Sequence, residues 1–283
     1  MVSRVVFANV TCGAVGFRSD IRIAIPDASK IGISHNVAFF NKSPSSRYPT
    51  HNIARAMKKQ KTALVLSAGG MFGAYQAGAW KILSEQLEID MVVGASVGAV
   101  NGWSIAGGCS ADELISNWRD PITGQALKLF DSRPLRVMAE RLHGRYTPRI
   151  PYGLVVLEVA GLKTRLVQHP EVGPEHIHAA CSIPFVLPPV KIGGKRYVDG
   201  GVLAKLPVFA AVEMGATRVI AIDVLPDFGK WRTYPSDIDL TVLKPSVPLG
   251  GMKDLFYWKP DLVEQWIELG MRDAVKIGIS RAA

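Results

Sequence analysis

The chain repeats a pattern in which a short apolar run ends in a glycine-rich turn and then leads into a helix. The first run is Ala63–Ser67, and the second begins at Asp90 and ends at Val93. Short apolar runs between helical patterns are typical of buried strands in a parallel sheet. The alternation continues along the chain. It predicts an α/β fold of three layers, with a central, mainly parallel sheet flanked by helices.

Hydrophobic periodicity and turn residues indicate where the remaining elements lie. We predict further strands at 154–160, 164–168, 194–198 and 218–224. We predict helices from Ser110 towards Trp118 and at 125–143, 207–214 and 261–277, and a loop at 226–251.

Residues 91–111 contain no charged side chain, a property shared with membrane-spanning helices. The segment is rich in glycine and alanine, however, and its hydrophobic period changes partway along. We therefore predict a buried strand, a tight turn and a buried helix there.

The positive charge of the chain is unevenly distributed. The 283 residues carry a net charge of +9, and residues 1–60 contain nine Lys/Arg but only two Asp. Residues 61–283 hold the other 24 basic and 22 acidic side chains, so they are almost neutral. We predict a basic, poorly ordered leader at 1–60 and one domain at 61–283. A targeting leader and a start assigned too far upstream both remain open.

Nucleic acid is not an expected partner, because the excess charge lies outside the predicted domain.

The second glycine turn has the form of a nucleophile elbow. Gly94, Ser96 and Gly98 follow a predicted strand directly and precede a predicted helix. A serine in such a turn adopts strained backbone angles, and the flanking glycines let the strand and the helix approach closely. Ser96 is therefore the candidate nucleophile.

The first glycine turn is suited to binding an anion. Gly69, Gly70, Met71 and Gly73 lie between a predicted strand and the start of a helix, where backbone N–H groups are free to bind negative charge. Beside a nucleophilic serine, such a turn can serve as an oxyanion hole. The alternative is a nucleotide-phosphate turn. Asp90, twenty positions after Gly70, would then be the ribose-binding acid.

A third motif, Asp199-Gly200-Gly201, follows the predicted strand at 194–198. Taken alone it reads as a turn. The three motifs in this order resemble the patatin-like phospholipases, a family of serine lipid acyl hydrolases. The resemblance covers roughly residues 62–225 and includes Ala180-Cys181-Ser182-Ile183-Pro184 before the aspartate.

The resemblance implies a patatin-like fold and a Ser–Asp dyad without histidine. Ser96 would be the nucleophile and Asp199 the general base, and the amides of Gly69, Gly70 and Met71 would bind the oxyanion. It implies a lipid or phospholipid substrate and no cofactor. The expected reaction is hydrolysis of a carboxylic ester through an acyl-serine intermediate.

The chain departs from the family pattern at three positions. Ala68 replaces the first glycine of the usual triple-glycine turn, Phe72 stands where Arg or Lys is common, and Lys205 stands where Asn is often found. The first two touch the oxyanion turn, so a non-catalytic lipid-binding protein remains one alternative. A nucleotide-binding oxidoreductase is another.

Cysteine and histidine placement favours neither a metal site nor a Ser–His–Asp triad. The three cysteines are far apart, and the last histidine, His178, lies 105 residues before the C-terminus. The α/β-hydrolase order places its histidine after the serine and the acid, late in the chain. We predict no metal, since no cluster of nitrogen, sulfur or oxygen ligands is visible.

Basic and apolar residues alternate between Lys128 and Arg149. Such a segment can lie on an anionic lipid surface or cover the site, or it can be a helix with its apolar face on the core. We expect the protein in the cytoplasm or at a membrane surface.

Overall fold

The computed structural model describes residues 60–126, 131–226 and 238–277. The predicted leader lies, except for residue 60, outside these ranges. The strands are β1 (Thr62–Leu66), β2 (Met91–Ala95), β3 (Tyr152–Glu158), β4 (Lys163–Gln168), β5 (Val190–Ile192), β6 (Lys195–Asp199), β7 (Arg218–Ile222) and β8 (Asp239–Leu243). The helices are α1 (Gly73–Gln86), α2 (Val97–Ala106), α3 (Ala111–Arg119), α4 (Pro121–Gln125), α5 (Arg133–Arg145), α6 (Pro174–Ala180), α7 (Val208–Glu213) and α8 (Pro260–Lys276).

The eight strands of the described ranges form one mixed sheet. Hydrogen bonds connect them as β5-β6-β3-β2-β1-β7-β8, with β6 and β2 on the same edge of β3 and β4 on its other edge. The pairs β1–β2, β1–β7, β2–β3 and β7–β8 are parallel, whereas β3–β4, β3–β6 and β5–β6 are antiparallel. This confirms the predicted mainly parallel sheet. The antiparallel part is confined to the β3 side.

Helices cover both faces of the sheet, as expected for three layers. Alternate residues of β1 point in opposite directions: Leu64 and Leu66 belong to the larger core cluster with α1, α2 and α8. Ala63 and Val65 pack in a second cluster with α7. Because every residue of β1 is buried, its sequence is a continuous apolar run rather than an alternating one.

The ends of β2 and β6 meet head-on along β3. β2 runs parallel to β3 and ends with Ala95 opposite Val155, whereas β6 runs antiparallel and ends with Asp199 opposite Val156. The two strands share one edge of β3, because β4 occupies its other edge over the same residues. The residues at the end of β2 and at the end of β6 are therefore brought together.

The prediction of a single helix at 125–143 is wrong. The helix α5 begins at Arg133, where Pro134 occupies the first turn and the Asp131 side chain accepts a hydrogen bond from the Arg133 N–H. Both features start a helix rather than continue one. A separate short helix, α4, begins after Asp120.

The prediction of an uninterrupted loop at 226–251 is also wrong, because β8 lies within it as a parallel edge strand beside β7. This five-residue strand is mostly half-buried and follows a segment rich in Pro, Gly and Asp, so its apolar signal is weak. The short strand β5 was not predicted either.

The segment 91–111 does form the predicted strand, turn and helix. In the described parts of the chain, no helix has the length and apolar character needed to cross a membrane.

Two glycines allow α1 and α8 to cross with their backbones in contact. A Cβ atom at Gly78 would overlap the carbonyl of Ile267, and one at Gly270 would overlap the carbonyl of Tyr75. We expect Gly78→Ala to lower the free energy of unfolding by at least about 2 kcal/mol, because backbone atoms cannot move aside as side chains can.

The matched control is Gly144→Ala on α5, where a Cβ would meet nothing within 4 Å. This substitution should raise stability by up to about 1 kcal/mol through helix propensity. Urea unfolding of both variants measures the difference. Equal stabilities would contradict the close helix crossing.

Candidate active site

Ser96 lies in a strained turn between β2 and α2. Its backbone has φ 52° and ψ −126°, a conformation that costs energy for any residue with a side chain. The neighbouring glycines are sterically required. A Cβ atom at Gly94 would overlap Gly98, and one at Gly98 would lie 2.6 Å from the carbonyl oxygen of Ser67. The turn therefore has the geometry of a nucleophile elbow, as the sequence predicts.

Asp199, the last residue of β6, is buried beside Ser96. Its Oδ1 accepts a hydrogen bond of 2.7 Å from the Gly201 N–H, and the Ser96 side chain lies close enough to interact with its carboxylate. Burial raises the pKa of Asp199 to about 7, although the interactions with Ser96 and with the Gly201 N–H partly oppose the rise. The carboxylate is therefore a stronger base than an exposed aspartate.

The motif glycines after Asp199 are also sterically required. A Cβ atom at Gly200 would lie 2.6 Å from the carbonyl oxygen of Val155. One at Gly201 would lie 2.6 Å from the Cβ of Ala68 and 2.9 Å from Oδ1 of Asp199. Any side chain here would push the carboxylate or the first glycine turn away from Ser96.

The first glycine turn presents free backbone donors beside α1. The N–H groups of Ala68 and Phe72 donate to Lys205 and Gly69, whereas those of Gly69, Gly70 and Met71 have no acceptor within the described ranges. Gly70 has φ +51° and packs against the carbonyl of Leu255. Gly70, Met71 and Ser96 line the same cavity, so the turn and the serine open onto one space.

The three departures from the family pattern have structural explanations. Ala68 is not among the residues with positive φ, so its position does not require glycine. The Phe72 ring is buried edge-on against Trp266, with centroids 5.1 Å apart, and fixes the turn to α8. Lys205 donates to Asp223 and to the carbonyls of Leu225 and Pro226. None of the three blocks the free donors.

A buried network supports the glycine turn, and the sequence analysis missed it. The indole of Trp118 donates to Asn101, the Asn101 amide donates to Gln76 and to the Gly73 carbonyl, and Gln76 donates to the Ser67 carbonyl. These bonds connect α3, α2 and α1 to the end of β1. The available signal was the presence of two polar residues, Gln76 and Asn101, in helices otherwise rich in small and apolar residues.

The cavity above Ser96 has a volume of about 670 Å³ and is lined mainly by apolar side chains. Its walls include residues of α2, α3 and α5, among them Val100, Leu114, Leu135 and Met138. The interpretation of the basic segment as a helix with its apolar face on the core holds for α5, which buries Leu135 and Ala139. The same helix also lines the cavity. Lys128 lies outside the described residues.

Asp90 does not lie near the glycine turn. Its carboxylate accepts a hydrogen bond of 2.7 Å from the N–H of Thr62, at the start of β1, whereas the turn follows the end of β1. Asp90 thus lies at the opposite end of β1 from the glycine turn. The nucleotide-binding alternative is therefore left without its ribose contact.

Two of the described histidines make contacts that support the fold. The His143 ring stacks on Trp103, and His176 accepts the Gly173 N–H. Over residues 60–126, 131–226 and 238–277, no group of three His, Cys, Asp or Glu side chains is placed to hold a metal ion.

Comparison with known proteins places this geometry in a family. The patatin-like phospholipase family model matches residues 64–153 and 173–212, which contain both glycine turns and Asp199. Patatin-like phospholipase domain-containing protein 7 of Rattus norvegicus is 26% identical over 204 residues, covering 65% of this chain and 15% of the relative. Lysophospholipase NTE1 of Debaryomyces hansenii is 27% identical over 199 residues, covering 61% of this chain and 12% of the relative. The chain thus matches only a small part of each relative.

The fold has a counterpart among solved structures. VipD from Legionella pneumophila superposes with a TM-score of 0.51 at 11% identity, covering 78% of this chain and 67% of that one. At this identity the likeness concerns the fold alone. The family match shows that the chain carries a patatin-like phospholipase domain over residues 64–153 and 173–212.

Proposed function

We propose that the chain is a lipid acyl hydrolase that cleaves carboxylic esters of phospholipids or lysophospholipids through an acyl-Ser96 intermediate. The observation that carries the proposal is the head-on meeting of β2 and β6, which brings the Ser96 hydroxyl to the Asp199 carboxylate. The apolar cavity above Ser96 suits an acyl chain. The names of the matching family and of the lysophospholipase relative agree with this substrate class.

Acylation begins when Asp199 accepts the Ser96 hydroxyl proton and Oγ attacks the ester carbonyl carbon. The negative charge that develops on the carbonyl oxygen is stabilised by the free N–H groups of Gly69, Gly70 and Met71. The tetrahedral intermediate then collapses, the ester C–O bond breaks, and the leaving alcohol takes the proton from Asp199. An acyl ester on Ser96 remains.

Deacylation repeats the sequence with water as the nucleophile. Asp199 accepts a proton from water, the hydroxide attacks the acyl carbonyl, and collapse releases the fatty acid and returns the proton to Ser96 Oγ. A carboxyl group with a pKa of about 7 suits both halves, because it can accept and return a proton near neutral pH.

The proposal is tested by incubating the full chain with phosphatidylcholine, lysophosphatidylcholine and a soluble p-nitrophenyl ester, and quantifying fatty acid or nitrophenol release. We expect turnover by the wild type and by Ser84→Ala, whose hydroxyl binds the Lys81 carbonyl on α1. Lipid binding with no release from any of the three esters would overturn the proposal and favour a non-catalytic lipid-binding protein.

A further inference from the structure

A turn next to the candidate active site exposes an aromatic side chain. Phe185 is 93% exposed and has φ +67°, whereas most residues with φ in this range are glycines. A bulky apolar residue here gains almost no burial and adopts an unfavourable backbone conformation. Neither property stabilises the folded domain.

The turn is held rigidly by its neighbours. The N–H groups of Val186 and Leu187 donate to the Ile183 carbonyl at 3.2 and 2.9 Å. The Leu187 side chain is buried with Leu135 of α5. Phe185 therefore lies in a turn that is anchored to α5 through Leu187.

The turn is continuous with the candidate active site. Ile183 lines the cavity, and the Ser182 carbonyl accepts the N–H of Asp199 at 2.9 Å. Other exposed apolar side chains lie on elements that form the cavity or follow Asp199. Together they make a set that we name the rim: Ile122, Val137, Phe185, Val202 and Leu203.

Positive charge accompanies the rim. The exposed residues of α5 include Arg133, Arg136, Arg141 and Arg145, with Glu140 as the only acid on that helix. Arg133 and Arg145 pair with Asp131 and Glu113. Arg136 and Arg141 have no ion pair within the described ranges, and Arg141 lines the cavity. An exposed apolar set beside unpaired arginines complements a surface with an anionic outer layer and an apolar interior.

We infer that the rim docks onto the surface of an anionic lipid bilayer, with Phe185 inserted below the headgroups and Arg136 and Arg141 against lipid phosphates. The docking itself does not depend on the proposed function. Only its biological role does, because a lipid substrate in the bilayer would then face the mouth of the cavity. A second copy of this chain would place like charges of α5 in proximity, which is unfavourable.

The experiment measures binding in the absence of hydrolysis. The full chain carrying Ser96→Ala is co-sedimented with vesicles of phosphatidylcholine alone and with vesicles containing 30% phosphatidylglycerol. Adding Phe185→Gly should weaken partitioning to both vesicle types by about tenfold or more, because the inserted ring is lost. The glycine also relieves the positive φ, so the melting temperature should not fall. Phe185→Trp should retain binding and show blue-shifted emission on the vesicles.

The charge contribution is tested separately. Arg136→Gln should weaken partitioning about fivefold on the anionic vesicles and leave it almost unchanged on phosphatidylcholine. The control Val275→Ser removes an exposed apolar side chain on α8, a helix that contributes no residue to the cavity, and should bind as the parent chain does. The basic residues of 1–60 are present in every variant and cancel in the comparison.

The inference is overturned if Phe185→Gly partitions like the parent chain. It is also overturned if sedimentation velocity without lipid shows that Phe185→Gly dissociates a dimer, because the rim would then bind a second copy. In the active chain, Phe185→Gly should cleave the soluble ester at the wild-type rate. Vesicle binding that depends on Phe185, without ester cleavage by the wild type, would refute the proposed function and leave the docking surface intact.

Discussion

Ser96→Ala is expected to lose ester hydrolysis by about 10⁴-fold or more, the scale seen when a serine nucleophile is removed. The substitution removes Oγ, so no acyl-enzyme can form, and water has no positioned hydroxyl to replace it. The loss should appear in kcat on the soluble ester and on lysophosphatidylcholine alike.

The same variant should remain folded. Alanine adopts the φ 52° backbone at no greater cost than serine, and residue 96 has no side-chain hydrogen bond that caps α2. We expect its melting temperature within a few degrees of the wild type. The matched control, Ser84→Ala, should keep both activity and stability. Retention of more than a tenth of the wild-type kcat by Ser96→Ala would contradict its role as the nucleophile.

Asp199→Asn should lower the activity of the protein and raise its stability. Activity should fall by about 10³-fold or more, since an amide cannot accept the Ser96 proton. The folded protein should become more stable at alkaline pH, because the wild type must hold a buried carboxylate in its charged form.

The direction of this pH dependence follows from the pKa of Asp199, which burial raises from 3.8 to about 7. The contribution of the Asp199 carboxyl to the free energy of unfolding is fully present below about pH 4. It is lost as pH rises through 7, because the unfolded chain ionises this carboxyl freely. The advantage of Asp199→Asn should grow over that interval and level off above pH 8, at about 4 kcal/mol.

Urea unfolding at pH 5 and pH 8.5 measures this difference, with Asp261→Asn as the control at an exposed position on α8. The wild-type kcat/KM should rise with pH through about 7 as Asp199 ionises. Equal stabilisation by Asp199→Asn at both pH values would show that the carboxyl does not titrate in a buried site.

The local features of the site were predictable because they are encoded by short-range sterics. Gly94 and Gly98 are needed where backbones nearly touch, and a serine between them after a buried strand indicates an elbow. The burial of β1 and β2 was evident from their apolar runs. These features depend on residues that are near one another in the chain.

The features that were not predicted depend on distant contacts. The strand β8 is defined by its pairing with β7 more than by its own composition, and the start of α5 depends on Asp131 and Pro134 within an otherwise helical pattern. Nor did the sequence indicate that β6 runs antiparallel to β3. That reversal is what brings Asp199 to Ser96, 103 positions earlier in the chain.

The most direct test of the account is covalent labelling of the full chain with a fluorophosphonate, followed by intact mass measurement and peptide mapping. The wild type should gain one adduct, located on Ser96, at a rate that rises with pH through about 7. Ser96→Ala should gain none, and Asp199→Asn should react far more slowly. An adduct on another residue, or none on the wild type, would contradict the assignment of Ser96 as a nucleophile activated by Asp199.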